Sequence, residues 1–264
     1  MNARTLIGAL AWRARQEGLR YLLAPIGMFA VVLAIPIGLS AAAPQDVNSG
    51  QVMAQFAERY GAHADAVTLG IGLLLGPGLV ALFCSLSVIM LVRNLVGSEA
   101  SRGGLEALLT APYTPATVMR ALLGYVGAIA VLYWAALTLL VTLALAIVTW
   151  SVNGASVSLT ASYLIAALAV PLLAAWAATG LALLVHLLYP RLAQAGSYGI
   201  NTGGGGIGSL PAMLPGLGVL LTFTLWGTHV GAVELLASTG GAAAVVAVAG
   251  VAIVARRFRP DYIL

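Results

Sequence analysis

The chain has 264 residues, of which 61% are hydrophobic and only 8% charged, against roughly 25% charged residues in soluble domains. That composition excludes an ordinary soluble fold and points to a chain whose outer surface faces lipid. All 12 basic residues are arginine, so the net charge of +4 has to be read from where they fall.

In chain order, residues 4–20 read first as an amphipathic helix. Ile7, Leu10, Ala11, Ala14 and Gly18 share one face; Arg13, Gln16, Glu17 and Arg20 share the other. Trp12 suits the headgroup level and the arginines favour anionic lipid, so this helix is expected to lie on the inner leaflet. A span is predicted over 21–43. Its apolar run exceeds a signal-peptide core and Pro44 directly follows Ala41, Ala42 and Ala43, so no cleaved leader is expected. The loop 44–65 carries Asp46, Glu58, Arg59, His63 and Asp65 at spacings that match no metal-ligand pattern, and a solvated loop or short external helix is expected.

The second predicted span, 67–95, contains the close-packing pair Gly72 and Gly76 and the lone Cys84. A charged segment, 98–119, leads to spans over 121–150 and 160–188. A glycine-rich link at 203–208 then precedes spans over 209–228 and 233–255. Pro171, Pro211 and Pro215 should kink or shorten their helices, because proline removes a backbone hydrogen bond.

These runs are long enough for spanning helices of about 20 residues and too long for barrel strands of about 10. The expected fold is therefore all-α: a polytopic membrane protein of six transmembrane helices in one domain, 21–264, preceded by the interface helix 1–20 and with a coupling segment between spans two and three. In this topology Arg59 alone falls on one side, and the other arginines fall together on the opposite side. By the positive-inside rule both termini are then cytoplasmic and the localisation is the inner (cytoplasmic) membrane. The charge reflects topology, and no nucleic-acid partner is implied.

Catalytic and cofactor motifs are weak. Gly203 to Gly208 satisfies G-x-G-x-x-G, but between two apolar spans rather than in a βαβ unit, so a hinge is the better reading. The chain has no lysine and therefore no standard P-loop. Ala195 to Gly199 only approximates a nucleophile elbow, with His186 the nearest base. His186 and Tyr189 read as interfacial anchors, and His229 and Glu234 as a solvated or path-lining pair near the outer mouth. No metal site is expected.

The segment 98–119 is different, because it is charged, leucine-patterned and set between long apolar spans. Ser98 can cap a helix and Glu99 suits the positive end of its dipole. Leu105, Leu108 and Leu109 then form an apolar ridge beside Glu106, suited to a groove in a soluble partner, until Pro112 and Pro115 turn the chain. Glu99, Arg102, Gly104, Leu105, Glu106, Leu108, Leu109, Thr110 and Pro112 are the candidate coupling residues. Trp12, Arg13, Glu17 and Arg20 are the candidates on the interface helix.

This segment resembles the cytoplasmic coupling region of type-2 ATP-binding-cassette (ABC) permeases, whose pattern is Glu, then Gly-Thr-Leu-Glu, then Leu-Leu, then Thr-Pro. Here Gly103 stands before Gly104, Ala111 separates Thr110 from Pro112, and Arg120 replaces the usual lysine. The resemblance implies the permease subunit of an ABC exporter, paired with a second permease copy and two ATPase subunits that bind ATP and Mg, with no cofactor on this chain. It also implies that the N-terminal interface helix touches the ATPase. The pathway would be lined from the first, second and fifth spans, where Ser85, Ser87, Thr222 and Thr224 are the polar residues; an apolar or amphipathic drug, peptide or lipid fits such a lining. The competing readings are a secondary carrier, which would need ionisable groups at mid-membrane, and a membrane scaffold or sensor.

Overall fold

The computed structural model describes residues 3–17, 20–42, 62–63, 67–101, 114–151, 156–189, 210–227 and 229–257. Apolar runs in lipid must close their backbone hydrogen bonds within themselves, and nearly all of these residues do so as helices. They are α1 (Ala3–Glu17), α2 (Arg20–Ala42), α3 (Val67–Ser101), α4 (Pro115–Ser151), α5 (Ala161–Leu188), α6 (Leu210–Trp226) and α7 (Ala232–Arg257). Helices α3, α4, α5 and α7 are each long and apolar enough to cross a membrane, which makes this a multi-pass helical membrane protein.

Local chemistry sets several boundaries. Pro115 opens α4, where a missing N–H costs nothing, and Thr114 caps it by accepting from the Thr117 N–H at 3.3 Å. At the end of α5 the Tyr189 N–H still donates to the Val185 carbonyl at 3.0 Å, and Pro190 follows. The helix expected to start at Ser98 does not start there, because α3 continues unbroken through Ser101. Between Leu95 and Ser101 only Gly97 opposes the helix, at about 1 kcal/mol, too little to break it. Glu99 consequently lies in the last turn of α3, at the negative rather than the positive end of the dipole.

Helix directions follow from the glycine contacts. A Cβ built on Gly72 would meet Leu145 and one on Gly76 would meet Val141, so α3 and α4 are antiparallel and this glycine pair packs within the chain. Gly78 faces Leu220 while Gly216 faces Ser85 and Ala81, so α6 also runs against α3. Gly240 lies by Val170 and Gly180 by Gly250, so α5 and α7 run parallel. Small residues at each crossing let backbones approach where lipid supplies no hydrophobic drive.

The centre of the bundle is formed by α3 and α5. The main buried cluster joins Phe29 and Leu33 of α2 to Phe83, Val88 and Val92 of α3, Tyr125 and Val126 of α4, and Leu183 of α5. Phe29 and Phe83 meet edge to face, with ring centres 5.3 Å apart. At one end two-residue strands pair antiparallel: β1 (Ala62–His63) with β2 (Ser156–Val157), Ala62 opposite Val157. The end of the expected solvated loop 44–65 is thus tied to the short loop before α5.

Candidate functional site at the arginine end of the bundle

The antiparallel packing brings the C-terminus of α3, the N-terminus of α4 and the C-termini of α5 and α7 to one end, opposite the β1–β2 pair. Arg93 sits there half-buried, with Arg120, Arg256 and Arg257 exposed. Each arginine occupies the last or first turns of a long apolar helix, where a long side chain can carry its charge to the headgroups.

Helix α1 docks at the same end. Leu6 and Leu10 are buried in the main cluster and Ile7 packs against it, and a Cβ on Gly124 of α4 would lie 3.1 Å from Ile7 Cδ1. The packed face is therefore Leu6, Ile7 and Leu10, rotated from the expected one: Ala11 is exposed and Leu6 takes its place inside. A small alanine gains little from burial, and the larger leucine decides the rotation. Trp12 is 64% exposed. Arg13 and Glu17 belong to α1 and Arg20 opens α2.

The coupling candidates divide at the end of α3. Glu99 lies on its last turn. Arg102, Gly104, Leu105, Glu106, Leu108, Leu109, Thr110 and Pro112 lie outside the described residues, as do the glycine-rich link 203–208 and residues 195–199. What is described are the two anchors of that segment, Ser101 and Thr114, both at the arginine end, where α1 packs on α4.

His186 is not the interfacial anchor expected. It is 93% buried, its Nδ1 bonds the Ala182 carbonyl at 2.9 Å, and Arg93 lies within electrostatic reach. Tyr189, three residues on, is exposed and suits the interface. Near the opposite end, His229 and Glu234 are exposed, and Glu234 Oε2 accepts from the Gly231 N–H at 3.1 Å, one half of a capping box at the N-terminus of α7. Among the described residues no group of three or more His, Cys, Asp and Glu side chains could hold a metal ion.

The polar residues considered for a pathway are satisfied by their own helices. Ser85 donates to the Ala81 carbonyl and Ser87 to that of Phe83, both buried, while Thr222 and Thr224 donate to Gly218 and Leu220. Back-bonding of this kind lets a hydroxyl sit in an apolar helix without a partner elsewhere. Ser85 moreover faces Gly216 across the α3–α6 contact, inside the bundle rather than along an open path.

No family model matches the chain, and neither the curated proteins nor the solved structures contain a significant match.

Proposed function

We propose that the chain is the permease subunit of an ATP-driven exporter resembling the type-2 ABC permeases. In this reading α2 and α6 are spans as well, for a total of six. Both termini and the arginine end are cytoplasmic, in the inner membrane. A second permease copy completes the pathway, two ATPase subunits bind ATP and Mg, and the cargo is an apolar or amphipathic drug, peptide or lipid.

The observation that carries the reading is the convergence at one end of the bundle. The amphipathic helix α1, the exposed arginines and both anchors of the leucine-patterned 102–113 segment lie together there. A soluble partner pressing on that segment would push directly on the C-terminus of α3 and the N-terminus of α4. Since α3 is packed against α4, α5 and α6, a displacement there has a rigid route into the bundle. The secondary-carrier reading is disfavoured: among the described residues the acidic side chains are Glu17, Glu99 and Glu234, all at helix ends.

Co-purification of the membrane-extracted chain with a tagged ATPase encoded beside it tests this reading. Wild type should retain the ATPase, and Glu106→Arg combined with Leu109→Asp should reduce recovery at least about tenfold, the scale of a lost docking contact, while still inserting. If wild type recovers no ATPase with or without ATP, the exporter reading fails.

A further inference from the structure

The sequence Gly76-Pro77-Gly78 lies inside α3, within a span rather than at its end. Proline has no N–H, so the carbonyl of Leu73, four residues earlier, loses its helical donor. In lipid an orphaned carbonyl must find another donor. It finds one in a different helix: the hydroxyl of Tyr163, on the first turn of α5, donates to Leu73 O at 2.5 Å. Tyr163 is itself buried, in a small cluster with Leu73, Leu74 and Ala166 separate from the main core.

The two sides of Pro77 pack differently. Residues 67–76 form an arm whose Gly72 and Gly76 face side-chain tips of α4, those of Leu145 and Val141. Beyond Pro77, Gly78 instead meets the Leu220 backbone, where a Cβ would lie 2.8 Å from Leu220 Cα, and Gly216 meets the backbone at Ala81 and Leu82. The body of α3 from Gly78 onward thus meets α6 backbone to backbone, whereas the arm reaches the end of α6 through a side chain, Leu74 against Gly227. The arm also forms one wall of an apolar cavity of about 220 Å³, contributing Leu69 and Leu73 opposite Thr142, Leu145 and Thr149 of α4. Both threonine hydroxyls bond their own helix, so the cavity wall presents methyl groups.

From this geometry we propose that Gly76-Pro77-Gly78 is a hinge and the Tyr163 hydroxyl its latch. With the latch closed, Leu73 O is paired and the arm is held against α5. On its release the arm tilts about Pro77, and the cavity between arm and α4 changes width while the arginine end stays packed. The device is independent of what drives it and of any ATPase.

The test is amide hydrogen exchange, read by mass spectrometry on the full chain in lipid nanodiscs, for wild type, Tyr163→Phe, Pro77→Ala and the double variant. Tyr163→Phe keeps the ring and removes only the donor, and it should speed exchange in 67–76 about tenfold, as loss of one hydrogen bond to a buried acceptor allows. Exchange in 82–95 should not change. Pro77→Ala returns an N–H to Leu73 O and should slow exchange in 67–76; in that background Tyr163→Phe should have little further effect. Acceleration spread evenly over all helices, no acceleration in 67–76, or an undiminished effect of Tyr163→Phe in the Pro77→Ala background would each overturn the latch. If Tyr163→Phe does not fold, Pro77→Ala alone decides: unchanged exchange in 67–76 removes the hinge.

Discussion

Helices α3 and α5 differ from α4 and α7 in a way their apolar content does not announce. All are apolar enough to span, yet 67% of the span window in α3 and 61% in α5 is buried within the chain, against 22% in each of α4 and α7. Of these four helices the buried pair carries the interior prolines, Pro77 and Pro171, and the buried polar side chains, Ser85 and Ser87 on α3 and Thr179 and His186 on α5, beside glycines such as Gly72, Gly76, Gly78 and Gly180. On α4 the outward stripe is Leu132, Leu139, Leu143 and Ile147, all well exposed. In lipid, then, the centre of a bundle is marked by small, kinked and polar residues, and large aliphatic ones face outward because lipid receives them as well as protein does.

The largest effect should come from breaking the closest approach at the centre. A Cβ on Gly216 of α6 would lie 2.5 Å from Ser85 Oγ, 2.7 Å from Ala81 O and 2.8 Å from Leu82 Cα. Two of these are backbone atoms and cannot step aside as a side-chain tip can. Gly216→Val is expected to cost about 3 kcal/mol through overpacking, seen as a lower melting temperature of the detergent-purified chain. Gly218→Val, on the same helix with nothing within 4 Å of its built Cβ, should change stability by no more than about 0.5 kcal/mol. Equal losses from the two would mean that α6 does not pack as described.

Much of this was legible in the sequence because hydropathy and length act locally. Uncharged runs placed the helices, and the arginines grouped at one end. The close pair Gly72 and Gly76 was readable as a packing contact, since small residues have few other reasons to recur at that spacing. Partners distant in sequence were not readable. The sequence displays Gly76-Pro77-Gly78 plainly, but the donor that answers Pro77 stands on a helix 90 residues beyond Leu73. The β1–β2 pairing rests on four residues in two loops, too few for any periodicity. The rotation of α1 was missed because a helical stripe can be drawn through Ala11 as easily as through Leu6, and only burial separates them. Of the coupling candidates, only Glu99 lies within the described residues, on a helix that the sequence expected to start rather than end there.

A smaller effect tests whether the outer helices support the central ones at their kinks. Trp134 of α4 donates its indole N–H to the Leu168 carbonyl of α5 at 3.0 Å, next to the Ala167 carbonyl that Pro171 leaves without its helical donor. Trp134→Phe removes that donor and should cost about 1 kcal/mol, the usual net value of one such bond. Pro171→Ala restores an N–H to the Ala167 carbonyl and not to that of Leu168, so in that background the same substitution should cost as much. A much smaller loss in the Pro171→Ala background would mean that the Trp134 bond matters only while the ladder beside it is open, and one well below about 0.5 kcal/mol in both would mean that the bond contributes nothing to holding α5.

The smallest effect lies on the outward face of α4, and it sharpens the comparison most directly. Ile147 is 64% exposed, on a helix as apolar as the central pair. If that face meets lipid, Ile147→Ala exchanges one lipid-contacting surface for another and leaves no cavity, so stability should shift by less than about 0.5 kcal/mol. In a soluble protein a comparable stripe of leucine and isoleucine would mark a missing partner; here the solvent is itself apolar, and the stripe needs none. Melting in nanodiscs, where the acyl chains are present, is the measurement. A loss of about 2 kcal/mol or more, the range for truncating a buried aliphatic side chain, would mean that another protein surface covers this face, moving α4 from the periphery of one chain to the middle of an assembly.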